Sequence, residues 1–395
     1  MPRACPCIPF LLALVPLCVL AGSADAKPRE VRVKDRPGLE RALRSARPGT
    51  RILLAPGTYD GGLHIAGLHG KDRRRILIAA ADPKKKPVIR GGTSGLHLSD
   101  PSHVELRDLV FEGARGNGLN IDDGGSKDTP AFDVTLTNLT VRNVGPKGNA
   151  DGIKLSGVQR GALNGCRIER WGSGGSAIDM VGCEGMHIQR CRIGPARADT
   201  ANGIQAKGGS RRIRIGLCAF VDAGGRAVNA GGSTGMEYFR PKPEGFEAKD
   251  VTVEDCTFSG GQAAVAFVGC DGATVRHNVI HRPRRWVLRI LQETRADGFV
   301  PCRNGVFEQN VVVFRKDELR SVVNIGPGTH AQTFRFGGNL WFCEDAPKET
   351  RARVKLPTAE KDGLYGKDPQ LKDPAKGDFT FPRKGSLKRV GPRTQ

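Results

Sequence analysis

Four polar residues recur at one position of a repeated pattern. Lys154, Asp179, Gln205 and Asn229 each follow the central Ile or Val of the runs GIKL (152–155), AIDM (177–180), GIQA (203–206) and AVNA (227–230), and Lys207 lies two residues past Gln205. Alternate residues of a strand point to opposite sides, so with Ile or Val inward these side chains point outward. If the runs stack as neighbouring strands, ~4.8 Å apart, the polar residues form one patch. Lysine beside carboxylate-binding groups suits proton abstraction from carbon. A cation or metal neutralises a substrate carboxylate and makes the adjacent C–H acidic, and an amine takes the proton. Lys207 is the first choice as base and Lys154 the second. Arg226, Arg240 and Arg289 are carboxylate clamps, since guanidinium binds carboxylate through two parallel bonds. Asp179, Gln205 and Asn229 orient groups, and Asp179 with Gln205 are the candidate ligands of a calcium ion. An ordinary ion pair between Lys154 and Asp179 is the competing reading.

The patch needs a scaffold that repeats. The outward column continues through Asn120, Ala266, Arg289 and Asn324, from eight alternating runs between 118 and 325. A second repeat follows each run, with an apolar-flanked spot holding Cys166, Cys191, Cys218 and Cys256, or Asn138, Asn278, Asn310 and Asn339. These spots recur every 22 to 38 residues, the signature of an internal repeat. Subtracting eight from three of them gives another column at Cys183, Cys270 and Cys302. One short strand per repeat cannot bury its own face, whereas parallel stacking buries a continuous interior. No amphipathic helix separates the runs. The expected fold is all-β: a right-handed parallel β-helix, three short strands per coil. GLERALRSA (38–46) reads as a helix capping its open end, and the strands are expected to begin within 48–65. Cysteines in such columns do not require disulfides. A Cys270–Cys302 bridge is disfavoured, because the strand spacing exceeds the usual Cβ separation of a disulfide.

Three connections between strand and ladder are longer than the rest: 121–132, 231–250 and 292–304. All leave one corner and are expected to wall the patch, as long loops on a rigid scaffold commonly carry binding function. Tyr238, Phe239 and Arg240 would reach over it. Trp286 reads equally as a sugar platform or as packing. Asp151-Gly152 is sufficiently explained as a turn, and His277 and His281 read as structural.

The chain has 395 residues, a formal charge of +21, 53 glycines and few aromatics. That composition excludes a coiled coil, collagen and a disulfide mini-protein. Arg3, the apolar stretch 8–22 and Ala24-Asp25-Ala26 have the layout of a secretory leader over 1–26, so a secreted or periplasmic protein without a membrane span is expected. Residues 27–345 would form the solenoid and 346–395 an irregular tail packed on it. Outside the cytoplasm the expected partner for this charge is an anionic polysaccharide, not nucleic acid, and a monomer is expected.

The segment PGTRILLAPGTYDGGLHI (48–65), with the ladders, resembles the opening of secreted pectate-lyase-like β-helix proteins, and DPQLKDPAKGDFTFPRKGS (368–386) resembles a closing segment common among them. GIQAKGGS (203–210) is similar to the lysine coil of alginate-lyase and chondroitinase-B type lyases, with Lys207 at the base position. That resemblance implies β-elimination on a uronic-acid polymer, with calcium as a cofactor. Gln205 stands where it implies an acidic ligand, and Asn229 or Ala230 where it implies an arginine. The competing functions are a non-catalytic polysaccharide-binding or envelope protein and, behind it, a glycoside hydrolase, which needs carboxylates at set separations.

Overall fold

The computed structural model describes Met1 and residues 29–393. The predicted leader therefore lies outside the described residues, apart from Met1. The strands form three parallel sheets of 10, 14 and 12 strands. Each coil gives one strand to each sheet in turn. In one coil these are Ile153–Ser156 on the first face, Ala162–Asn164 on the second and Arg167–Glu169 on the third. The chain then comes back to the first face one strand further along, pairing Lys154 with Asp179. Ile153, Leu155, Ile178, Met180 and Ile204 are fully buried on the inner side. Burial of one such side chain stabilises by about 1.5–3 kcal/mol. Because each strand is only three to seven residues long in most coils, this stack, not any single coil, supports the fold.

The polar column keeps one register along the first face. Asn120 pairs with Lys154, Lys154 with Asp179, Asp179 with Gln205, and Gln205 with Asn229. It continues to Ala266, Arg289 and Asn324. The ladder between the second and third faces is buried. Asn310 Oδ1 accepts from Asn278 Nδ2 at 2.9 Å and from Asn278 N at 3.0 Å. Asn339 Oδ1 does the same for Asn310. Glu360 Oε1 closes the end, accepting from Asn339 Nδ2 at 2.7 Å. Asn138 is a correction. Thr140 pairs with Arg167, which aligns Leu139, not Asn138, with Cys166. Asn138 is exposed with φ 53°, at a left-handed turn position that asparagine tolerates. All eight cysteines among the described residues are free, Cys270 and Cys302 included.

The first strand, Glu30–Val33, precedes the helix and pairs with Arg51–Leu54, earlier than the expected start at 48. The helix spans Arg36–Arg44 and starts where the Asp35 side chain accepts from Gly38 N at 2.7 Å. Its Leu39, Ala42 and Leu43, three and four apart, join the core. Strand pairing runs past 345 to Leu364–Tyr365, which pairs with Leu340–Cys343. Beyond it, Phe379, Phe381, Leu387 and Val390 lie on the outer side of the third face against Val279, Val311 and Leu340. Among the described residues no helix is long and apolar enough to cross a membrane.

Candidate functional site

The floor of the site is a charged group of three coils. Asp179 is buried, and its Oδ2 accepts a hydrogen bond from Lys154 Nζ. Its Oδ1 has no hydrogen-bond partner among the described residues and lies 3.8 Å from Lys207 Nζ. Asp151 is also buried, with its Oδ2 3.7 Å from Lys154 Nζ and its Oδ1 accepting from Ser176 N at 2.7 Å. Two ammonium groups thus bracket one carboxylate, with a second carboxylate behind. Burial, then the Asp179 charge, raises the Asp151 carboxyl to about 6, against the opposing pull of Lys154. Burial alone would lower Lys154, but Asp179 and Asp151 outweigh it and raise its ammonium above the ordinary lysine range.

Over this floor opens a cleft of about 470 Å³, lined by Asn149, Lys154, Ser156, Lys207, Thr234, Tyr238 and Arg240. Its wall comes from the long connections, which leave one corner and bind one another. Arg240 of the second pairs with Asp123 of the first, and Lys127 Nζ donates to Glu237 O at 2.6 Å. Phe239 meets Phe299 of the third edge-on, ring centres 5.4 Å apart. Arg240 packs so closely over the turn at Gly182 (φ 60°) that a Cβ there would come within 2.3 Å of the Arg240 Cβ, so only glycine fits.

The structure places the predicted residues unequally. Lys154, Lys207, Tyr238 and Arg240 line the cleft, and Tyr238 is 57% exposed. Gln205 turns aside, its Oε1 accepting from Asn202 Nδ2 at 3.0 Å and Ser176 Oγ at 3.3 Å. Asn229 is buried and accepts from Arg226, which is itself bonded to Glu293. Arg289 donates to Asn324 at 2.9 Å and lies 4.3 Å over the Trp286 ring. Trp286 is buried between Arg289 and Arg285, which makes it packing and leaves no open face for a sugar. Phe239 is wholly buried and serves the wall. His281 is half-buried, and burial lowers its imidazole to about 4.

Two residues of the site escape sequence reasoning. Asp151 looks like a turn residue, and its spacing of three from Lys154 is the one signal of a shared site. Glu247 is fully buried and ties the wall to the floor. Its carboxylate accepts from Gly208 N and Thr234 N, both at 2.8 Å, from Thr234 Oγ1 at 2.7 Å and from Thr294 Oγ1. The buried neighbours Phe246 and Ala248 mark an acid forced inside, but only the fold identifies its partners.

A calcium ion does not fit Asp179 and Gln205 here. Among the described residues no three His, Cys, Asp or Glu side chains cluster as ligands. Asp179 already faces two ammonium groups, and Gln205 points its oxygen at Asn202 and Ser176. A divalent cation would stand against Lys154, which holds the same carboxylate.

Residues 94–285 match the family model described as the right-handed β-helix region. The chain folds as a right-handed parallel β-helix. No curated protein matches its sequence. Several solved β-helix structures resemble it. An alginate lyase from Paenibacillus sp. str. FPU-7 is 17% identical, with a TM-score of 0.51 over 78% of this chain and 99% of that one. A PL6 family polysaccharide lyase from Pseudopedobacter saltans is 12% identical, with a TM-score of 0.51 over 92% and 99%. A GH136 lacto-N-biosidase from Eubacterium ramulus is 11% identical, with a TM-score of 0.54 over 85% and 68%. At such identities the likeness is one of fold, and fold does not decide chemistry.

Proposed function

We propose that this β-helix is an exported, carbohydrate-active polysaccharide lyase that cleaves a uronic-acid polymer by β-elimination. The observation that carries the reading is the cleft with Lys154 and Lys207 on its floor and Tyr238 above them. Lys207 gives its ammonium proton to solvent and, as the free amine, takes the proton from the carbon next to the uronate carboxylate. The C–H electron pair becomes the new C=C bond, and the C–O bond to the leaving sugar breaks. Tyr238, in the same cleft, donates a proton to that departing oxygen. Lys154 stays charged beside Asp179 and Asp151, and with Arg240 it neutralises the substrate carboxylate as charge develops. In this reading protein cations do what calcium does in the lyases that the lysine coil resembles. Alginate is the first substrate to try, because two of the fold neighbours are lyases, one of them named for alginate.

The 3.8 Å contact between Lys207 and Asp179 favours a second reading, a β-helix that binds the polymer without cutting it. Hydrolysis is disfavoured, since Asp151 and Asp179 are both covered and Asp179 faces two lysines. Product masses separate the three readings. Each elimination gives one fragment a water lighter than its hydrolytic counterpart, with an unsaturated end, and one fragment with an ordinary hydroxyl end. Fragments carrying the added water would overturn the lyase reading in favour of hydrolysis, and binding without fragments would leave the binder.

A further inference from the structure

The first face does not end at the cleft. The column that carries Lys154 continues toward the N-terminus through Asn120, His97 and His64, in register. These side chains point outward, with His64 exposed and His97 and Asn120 half-buried. They are fixed by one another. The His64 and His97 rings stack 4.2 Å apart at 9°. His97 Nε2 lies 2.6 Å from Asp122 Oδ2, and Asn120 Nδ2 donates to the same oxygen at 3.2 Å. Ser99 Oγ sits 2.9 Å from His64 Nε2 and 3.1 Å from His97 Nε2. Burial would raise the Asp122 carboxyl, but the bonds from His97 and Gly124 N outweigh it and lower its pKa. Asp122 therefore accepts, and His97 donates. The proposed elimination uses none of these groups.

We propose that this row is a glycan-binding shelf, a run of subsites for the sugar hydroxyls of the polymer whose reacting unit lies at Lys207; the inference rests on the uronate-polymer reading above. Three features support it. The row is continuous with the cleft floor. Its donors and acceptors are already oriented, so little side-chain entropy is lost on binding. Its chemistry differs from that of the cleft, since imidazole, amide and hydroxyl groups exchange hydrogen bonds with sugar hydroxyls, whereas the lysines suit a carboxylate. From the Lys207 coil to the His64 coil there are five strand steps, about 24 Å at ~4.8 Å each. An extended hexuronate chain advances by close to one such step per sugar. A trisaccharide anchored at Lys207 stops short of His97, and an octasaccharide passes His64.

The test measures binding of alginate trisaccharide and octasaccharide by calorimetry in the Lys207→Ala protein, which leaves the ligands uncut. The parent should bind the octasaccharide more tightly. His97→Ala and Asn120→Ala, each added to it, should lower the octasaccharide-to-trisaccharide affinity ratio about ten-fold, as for the loss of one or two good hydrogen bonds. Should His97→Ala not fold by thermal melting, Asn120→Ala and the exposed His64→Ala carry the test. A ratio that stays within about two-fold of the parent's in the folded variants overturns the shelf alone. A parent that binds neither ligand overturns both the shelf and alginate as the polymer.

Discussion

Lys207 Nζ stands 3.8 Å from Asp179 Oδ1, a buried oxygen without a hydrogen-bond partner among the described residues, while Lys154 holds the other oxygen of that carboxylate. The two lysines are therefore unequal. Lys154 makes the hydrogen bond and stays charged, whereas Lys207 is held only by charge and can turn toward a substrate. Lys207→Ala should lower turnover by about 10²–10⁴-fold, the usual contribution of a general base, with little change in the melting temperature. Equal loss from Lys207→Arg, which keeps the charge but cannot give up its proton, would agree. An active arginine variant would assign the residue to binding.

Lys154→Ala should act on stability as well as on activity. It leaves Asp179 and Asp151 facing each other without their hydrogen-bonded cation. Breaking a buried pair on one side typically costs about 3–5 kcal/mol. Urea unfolding of this variant should show a loss of that order at neutral pH and a smaller one in acid, where the carboxylates are protonated. A loss under about 1 kcal/mol would mean that the pair is solvated.

Asp151 gives a signed pH dependence. Its folded pKa, about 6, is raised above the usual aspartate value of ~3.9. The native state holds the proton more tightly, so this residue's stabilising contribution is full below ~3.9 and is lost as pH rises through about 6. Asp151→Asn keeps an oxygen for Ser176 N and does not titrate. Relative to Asp151→Asn, the wild type should lose up to about 3 kcal/mol between pH 4 and pH 8, since each tenfold change in proton affinity is worth about 1.4 kcal/mol. A difference between the two proteins that does not vary with pH would refute the assignment.

Glu247→Ala should release the wall. It removes the acceptor of Gly208 N, Thr234 N and two threonine hydroxyls, and an unsatisfied buried donor costs about 1–3 kcal/mol. Limited proteolysis should then cut within 231–250 under conditions where the wild type resists. Activity should fall with Lys207 still in place. Unchanged proteolysis would mean that Arg240 on Asp123, Lys127 on Glu237 and Phe239 on Phe299 hold the wall without Glu247.

The fold is legible in the sequence because Ile, Val and Leu alternate with polar residues in each run, and period-two alternation sets both strand and register. That is why the column from Asn120 to Asn324 can be read in order from the residues alone. The ladder reads one residue early at Asn138, because asparagine suits both a buried ladder and an exposed left-handed turn. Local pattern also misplaces Phe239 and leaves Trp286 undecided. An aromatic residue in a polar insertion looks exposed until other insertions close over it, as Phe299 does over Phe239. Asp151 and Glu247 are out of reach for a related reason. Ser176, which donates to Asp151, and Gly208 and Thr294, which donate to Glu247, come from other coils or loops, and an acid before a glycine or in a charged loop does not name such partners. Strand Glu30–Val33 precedes the helix and lacks a repeat partner to announce it.

The most direct test of the central claim is the ultraviolet absorbance of newly formed unsaturated uronate, followed as purified protein meets alginate and other uronic-acid polymers, with and without chelator. Wild type should give a rise that chelator leaves in place, because Lys154 and Arg240 supply the charge, and Lys207→Ala should give none. Undiminished product from Lys207→Ala would contradict the claim, as would a wild-type rise that chelator abolishes and calcium restores.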